Sequence, residues 1–132
     1  NVRLNAAGDL MINSDISDIK DLRARAKEFV KNENDISSLP EKNVKEIDLL
    51  GPCYVTDKHV ISVQTDRGTP YEVYFEVQNE LVAAYNELRE ELSKAKFGRS
   101  FEFLTDEQKF AIKTYYPQKI SEAEPRNYGG NK

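Results

Sequence analysis

Residues able to do covalent or metal chemistry are scarce in this 132-residue chain. His59 is the only histidine and Cys53 the only cysteine. A Ser-His-Asp or Cys-His arrangement would therefore have to run through His59. A general base also needs a nearby nucleophile and an orienting carboxylate, and no nucleophile elbow occurs in the sequence. A structural or surface role is expected for His59. Cys53 cannot form an internal disulfide. Its thiol would react only if a helix N-terminus or an adjacent cation lowered its pKa. It follows Gly51-Pro52, which offers neither, so an inert thiol is expected.

One histidine and one cysteine cannot make a zinc cluster. Asp15, Asp18 and Asp21 recur every three residues and could share one helix face. Their oxygens suit a hard cation, but the spacing is not that of a calcium loop. Acidic residues at a helix N-terminus explain them without a metal. The glycines are scattered and make no phosphate-binding loop. Glu87, Arg89, Glu90, Glu91 and Lys94 read as a solvated helix face, with Glu90 and Lys94 paired at i, i+4. The expectation is a protein that is not an enzyme and uses no cofactor and no metal.

Asp66-Arg67-Gly68-Thr69-Pro70-Tyr71 is of another kind. A strand ends, polar residues gather and a helix begins, so backbone N–H groups point toward anionic or carbonyl partners. A turn and a helix cap account for Gly68, Thr69 and Pro70. They do not account for Asp66 and Arg67, which are left as candidates for a partner.

These residues must be held by regular elements. Val2–Asn5 and Leu10–Asn13 alternate apolar and polar around a glycine-containing loop, which predicts a β-hairpin. Ile16, Ile19, Leu22, Ala26, Phe29 and Val30 give one apolar stripe, which predicts a helix over 16–31 with Asp15 as its N-cap. Residues 32–58 read as a long loop or an insertion. Within them, Val44–Leu50 fits a short helix or a strand that Gly51-Pro52 ends. Val60–Gln64 reads as a central strand. Thr69, Pro70 and Glu72 form a capping-box pattern that opens a helix over 70–97. Its apolar stripe takes in Tyr74, Gln78, Leu81, Tyr85, Leu88, Leu92 and Ala95, with Gly98 closing it. A second capping box at Thr105–Gln108 opens a helix to about Tyr116, with Phe110 and Tyr115 buried and Pro117 as the stop. Residues 118–123 are a candidate last strand. The predicted fold class is α+β, a small mixed sheet with helices on one face, in the order β-β-α-β-α-α-β. One domain is expected over 1–125, followed by a flexible tail at 126–132.

Charge narrows the partners. Nineteen basic against 23 acidic residues leave a net charge of −4, whereas a dedicated nucleic-acid binder is more often basic. No apolar run approaches the roughly 20 residues that span a bilayer. The chain begins at Asn1. We expect it to be a piece of a longer protein with a membrane anchor upstream.

Val-Ile-Ser-Val-Gln-Thr-Asp-Arg-Gly-Thr-Pro-Tyr (60–71) resembles the central strand-turn-helix of ExbD/TolR-type biopolymer transport proteins. Glu-Val-Gln-Asn-Glu-Leu-Val-Ala-Ala-Tyr-Asn-Glu-Leu-Arg (76–89) and Ile-Ser-Glu-Ala-Glu-Pro (120–125) resemble the Bacteroidetes-type members. The resemblance implies the periplasmic domain of a single-pass inner-membrane protein. With ExbB-like and TonB-like partners, such proteins couple the proton-motive force to outer-membrane transport. The family's proton-path aspartate lies in the transmembrane helix, so no residue here inherits it. Residues 32–58 and the helix within 97–116 depart from the shorter family members. A partner strand added to a sheet edge suits such a domain. On that reading Asp66, Arg67, Tyr71 and Ile120 are the candidate partner-binding residues. A homodimer is a further expected association. The alternatives are a TolR-like peptidoglycan-binding domain and a small-ligand or enzyme domain using His59 or Cys53.

Overall fold

The computed structural model describes residues 2–13, 15–34 and 39–126, with side chains described through Glu122. It is an α+β fold with a mixed five-stranded sheet, a separate two-stranded sheet and three α-helices. The chain groups into two compact units. The first holds residues 1–23, 60–81 and 119–132, and the second holds 24–59 and 82–118.

The first unit contains the five-stranded sheet. β1 (Val2–Leu4) and β2 (Leu10–Ile12) form the predicted hairpin. Asn5 builds its turn, because its side-chain oxygen accepts from the backbone N–H of Ala7 and Asp9 at 3.0 and 2.9 Å. Gly8 sits at φ +85°, a region that L side chains rarely adopt. β3 (Asp15–Ser17) continues the meander by pairing with β2. β6 (Ile61–Asp66) lies parallel to β1, and β7 (Ile120–Arg126) lies parallel to β6. The strand order is β3-β2-β1-β6-β7.

One face of this sheet is apolar. Val2, Leu4, Leu10, Ile12, Ile61 and Val63 are buried, and the register places them on the same side. The helical residues buried in this unit are Leu22, Val77 and Leu81. Alternation between buried and solvated residues is what a sheet covered on one face requires.

α1 runs Ile19–Lys31, three residues later than predicted. Asp15 is not its N-cap. Asp15, Ile16 and Ser17 pair with β2 instead, and Asp18 caps the helix by accepting from the N–H of Lys20 at 3.1 Å. Ile16 consequently leaves the core and is 86% exposed. α2 runs Tyr71–Phe97, with Gly98 at φ +70° just beyond it. The capping box expected at its start does not form. The Thr69 hydroxyl turns back to donate to the carbonyl of Asp66 at 2.6 Å.

The second unit holds the later halves of both helices and three further elements. Asn32 ends α1 at φ 38° and donates its amide to the carbonyl of Pro40 at 2.8 Å. Residues 43–55 are not a loop. β4 (Asn43–Ile47) and β5 (Gly51–Val55) form an antiparallel hairpin, so Gly51-Pro52 opens a strand rather than ending one. Both strands are edges, and an edge tolerates proline. Ile47, Cys53 and Val55 face inward and pack with Ala111. α3 (Asp106–Tyr115) opens on the predicted capping box, with both reciprocal bonds between Thr105 and Gln108 present. Ala111 and Ile112 are buried there, whereas Phe110, expected in the core, is 69% exposed. Tyr116 is buried beside α3 and Tyr115 is half-buried. β7 extends to Arg126, and the expected tail beyond it lies outside the described residues.

Candidate functional site

The lone histidine and the lone cysteine both lie in the second unit. His59 Nδ1 bonds the carbonyl of Thr56, so that nitrogen carries the proton. Its Nε2 meets the Tyr85 hydroxyl at 3.3 Å. Phe29 packs against the imidazole edge-to-face at 5.3 Å. Tyr85 is fully buried, so this histidine satisfies a core hydroxyl. Cys53 is buried against Ile47, Val55 and Ala111, and burial pushes its thiol above the usual range. A raised pKa suppresses the thiolate, the nucleophilic form. Among the described residues no group of three or more His, Cys, Asp or Glu is placed to hold a metal ion.

The partner candidates lie in the first unit along its β7 edge. Among the described residues β7 ends the sheet and pairs on one side only, with β6. Ile120 stands opposite Ile61, and Glu122 stands opposite Val63. Ile120 is half-buried, and Ser121 and Glu122 are exposed. Asp66 stands opposite Arg126 at the other end of the strand pair. At about 3.3 Å per residue, Ile120 and Asp66 are therefore separated by most of a strand length. Asp66 ends the interior strand β6, so it and Ile120 do not form one cluster.

Asp66 is engaged within the fold. Arg3 donates to its carboxylate at 2.8 Å, and its backbone carbonyl takes the Thr69 hydroxyl. Arg67 is exposed in the turn before α2. Tyr71 stands clear of the core, 70% exposed, at the first position of α2.

Tyr71 belongs to a group that the sequence reading missed. Its ring stacks on Phe75, with centroids 6.0 Å apart and planes at 23°. Tyr74 lies 6.4 Å from Tyr71. Phe75 is 51% exposed. Tyr74 and Gln78 tie this flank of α2 to the edge strand. The Gln78 amide donates to the Tyr74 hydroxyl at 3.0 Å and also to the Glu122 carboxylate. Burial, and then the Glu122 carboxylate, push the Tyr74 phenol above its ordinary range. Gln78 was placed in the apolar stripe by its spacing, but the stripe centres on Val77, Leu81, Ala84, Tyr85 and Leu88. The signal for the flank was there: Tyr71 and Phe75 are one helical turn apart and fall outside the predicted stripe.

The result is an open strand edge tied through Glu122 and Gln78 to a helix flank that carries two exposed, stacked aromatic rings. Unpaired N–H and C=O groups on an edge strand can take an extended segment as a further strand. Rigid aromatic rings beside them supply contact area at little entropic cost. None of the described helices is long and apolar enough to cross a membrane. No family model matches the chain, and no curated protein or solved structure matches it.

Proposed function

We propose that this chain is the periplasmic interaction domain of an ExbD/TolR-type inner-membrane protein, acting through strand addition at β7 rather than through catalysis. The observation that carries this reading is the open β7 edge, tied through Glu122, Gln78 and Tyr74 to the flank of α2 that presents Tyr71 and Phe75. Two of the segments that resemble the family coincide with this region. Residues 60–71 cover β6 and the turn into α2, and residues 120–125 fall within β7. The burial of Cys53 and the tethering of His59 favour an interaction role over an enzyme. The partner on this reading is an extended periplasmic segment of a TonB-like protein.

The test is a titration of the isotope-labelled chain with the periplasmic segment of the TonB-like protein from the same genome, followed by amide NMR. Shifts should concentrate in Ile120–Arg126 and Tyr71–Gln78. Replacing both Tyr71 and Phe75 by Ala should weaken binding by about tenfold or more, as expected for aromatic anchors, and leave the melting temperature unchanged. Shifts elsewhere, or wild-type affinity in the double variant, would sink the reading. Upstream of Asn1, the gene should encode an apolar run of about 20 residues containing one acidic residue. A cleavable signal peptide there would break the energy-coupling part of the proposal.

A further inference from the structure

We propose that the opposite end of the same sheet carries a second binding site, which takes an extended peptide segment bearing Lys or Arg next to an apolar residue. A cleft of about 320 Å³ opens there between the β1–β2 turn, β3, the start of α1 and the first turns of α2. That volume lies at the lower end of the range for ligand sites and suits one or two side chains. Its apolar lining includes Leu10, Ile19 and Val73. Asp9, Asp18 and Glu76 supply three carboxylates, and among the described residues no basic side chain lines it.

The three carboxylates differ in what they already hold. Asp9 accepts from the Asn5 amide at 3.2 Å. Asp18 caps α1, and the ammonium of the exposed Lys20 stands 3.8 Å away. Glu76 is exposed and makes no hydrogen bond or ion pair among the described residues. An apolar lining with unpaired negative charge selects a ligand with an apolar body and a cationic tip, which is the build of a Lys or Arg side chain.

The argument for a peptide comes from β3. It is the terminal strand at this end, three residues long, and it pairs with β2 alone. Ile16 on it is 86% exposed and also lines the cleft. A segment laid along β3 would cover Ile16. Side chains alternate along a strand, so a basic residue would face the carboxylates while its neighbour faced the other way. The site does not depend on the reading of the β7 edge, because it lies at the other end of the sheet.

The probe is the peptide acetyl-Ala-Lys-Ile-Lys-Ala-amide, titrated into the labelled full chain, with the Glu-for-Lys version as its control. The lysine peptide should shift the amides of Gly8, Ser17, Ile19 and Val73, and the control should not. Glu76→Gln should weaken binding by about twofold to fivefold, the size of one exposed ion pair, without changing the melting temperature. Ile16→Lys should weaken it further by placing a like charge at the rim. Raising the salt from low to physiological should also weaken it. Equal shifts from both peptides, shifts confined to the β7 edge, no binding, or wild-type affinity in Glu76→Gln would each overturn the proposal. So would lysine amide alone binding as tightly as the peptide, since the strand would then contribute nothing.

Discussion

The two units use their unusual residues in opposite ways. The second unit holds the types that chemistry would need and turns them inward. His59 serves the buried Tyr85 hydroxyl, and Cys53 packs under the β4–β5 hairpin. Among the described residues, three of the four buried polar ones, Asn32, Thr56 and Ser93, also lie there, and each bonds a backbone carbonyl. The first unit has neither a histidine nor a cysteine. It turns its features outward: a stacked aromatic pair beside β7, an acidic cleft at β3, and a sheet with two open edges. His59 and Cys53 make their described contacts within the fold, whereas the rings of Tyr71 and Phe75 stay exposed on the flank of α2 tied to the β7 edge.

The sharpest test of this contrast is Tyr85→Ala. If the second unit is structural, the variant should lose about 3 kcal/mol or more of stability in urea denaturation, with peptide binding at either sheet edge preserved under native conditions. Loss of binding with unchanged stability would reverse the assignment of the two units. A smaller effect is expected at the helix caps. Thr105→Ala should cost about 1 kcal/mol, because both halves of its capping box are formed. Thr69→Ala should lose only a turn hydrogen bond, because its hydroxyl faces Asp66 rather than the helix N–H groups. Equal thermal shifts in the two variants would show that the local geometry does not set the cost.

Acid stability offers a third comparison. Burial pushes Asp57 up, but the hydrogen bond and charge of Lys45 outweigh it and hold the carboxyl below its ordinary range. A lowered folded-state pKa stabilises the fold above the unfolded carboxylate range, near pH 4, and that contribution is lost as pH falls through the lowered value. Lys45→Met should therefore move the onset of acid unfolding to higher pH. The cost at neutral pH should stay below about 1 kcal/mol, because Lys45 is 38% exposed. An unchanged acid limb would remove Lys45 as the cause. The smallest effect should be a gain. Leu49 occupies the β4–β5 turn at φ 72°, a region disfavoured for a bulky side chain, and it is 57% exposed. Leu49→Asn should stabilise by about 0.5 kcal/mol in thermal denaturation. Destabilisation would mean that the exposed leucine makes a contact the strain argument ignores.

Local signals were the legible part of the sequence. The α+β class, the first hairpin, α2 with its closing Gly98, and the Thr105 capping box all rest on patterns within a few residues of one another. Such patterns determine structure directly, because turn geometry and helix capping are settled by neighbours along the chain. What the sequence could not settle was competition between local and distant partners. Asp15 and Ile16 had a good helical pattern, yet β2 offered them a ladder and took them. Gly51-Pro52 looked like a break, yet pairing with β4 made it the start of a strand. Asp66 looked uncommitted until β1 brought Arg3, 63 residues away in sequence, within 2.8 Å.

The candidate sites divide in the same way. Tyr71 and Ile120 could be singled out by residue type and position. That Ile120 stands on an open edge follows only from β7 pairing with β6 at the end of the sheet. The acidic cleft was not legible at all, since its lining comes from three stretches of chain, 4–10, 16–19 and 73–76. The sequence by itself determined which residues could be helix, strand, cap and core, because those depend on side-chain shape and short-range periodicity. Only the tertiary structure decided which of them stayed outside, because exposure is set by what the rest of the chain leaves uncovered.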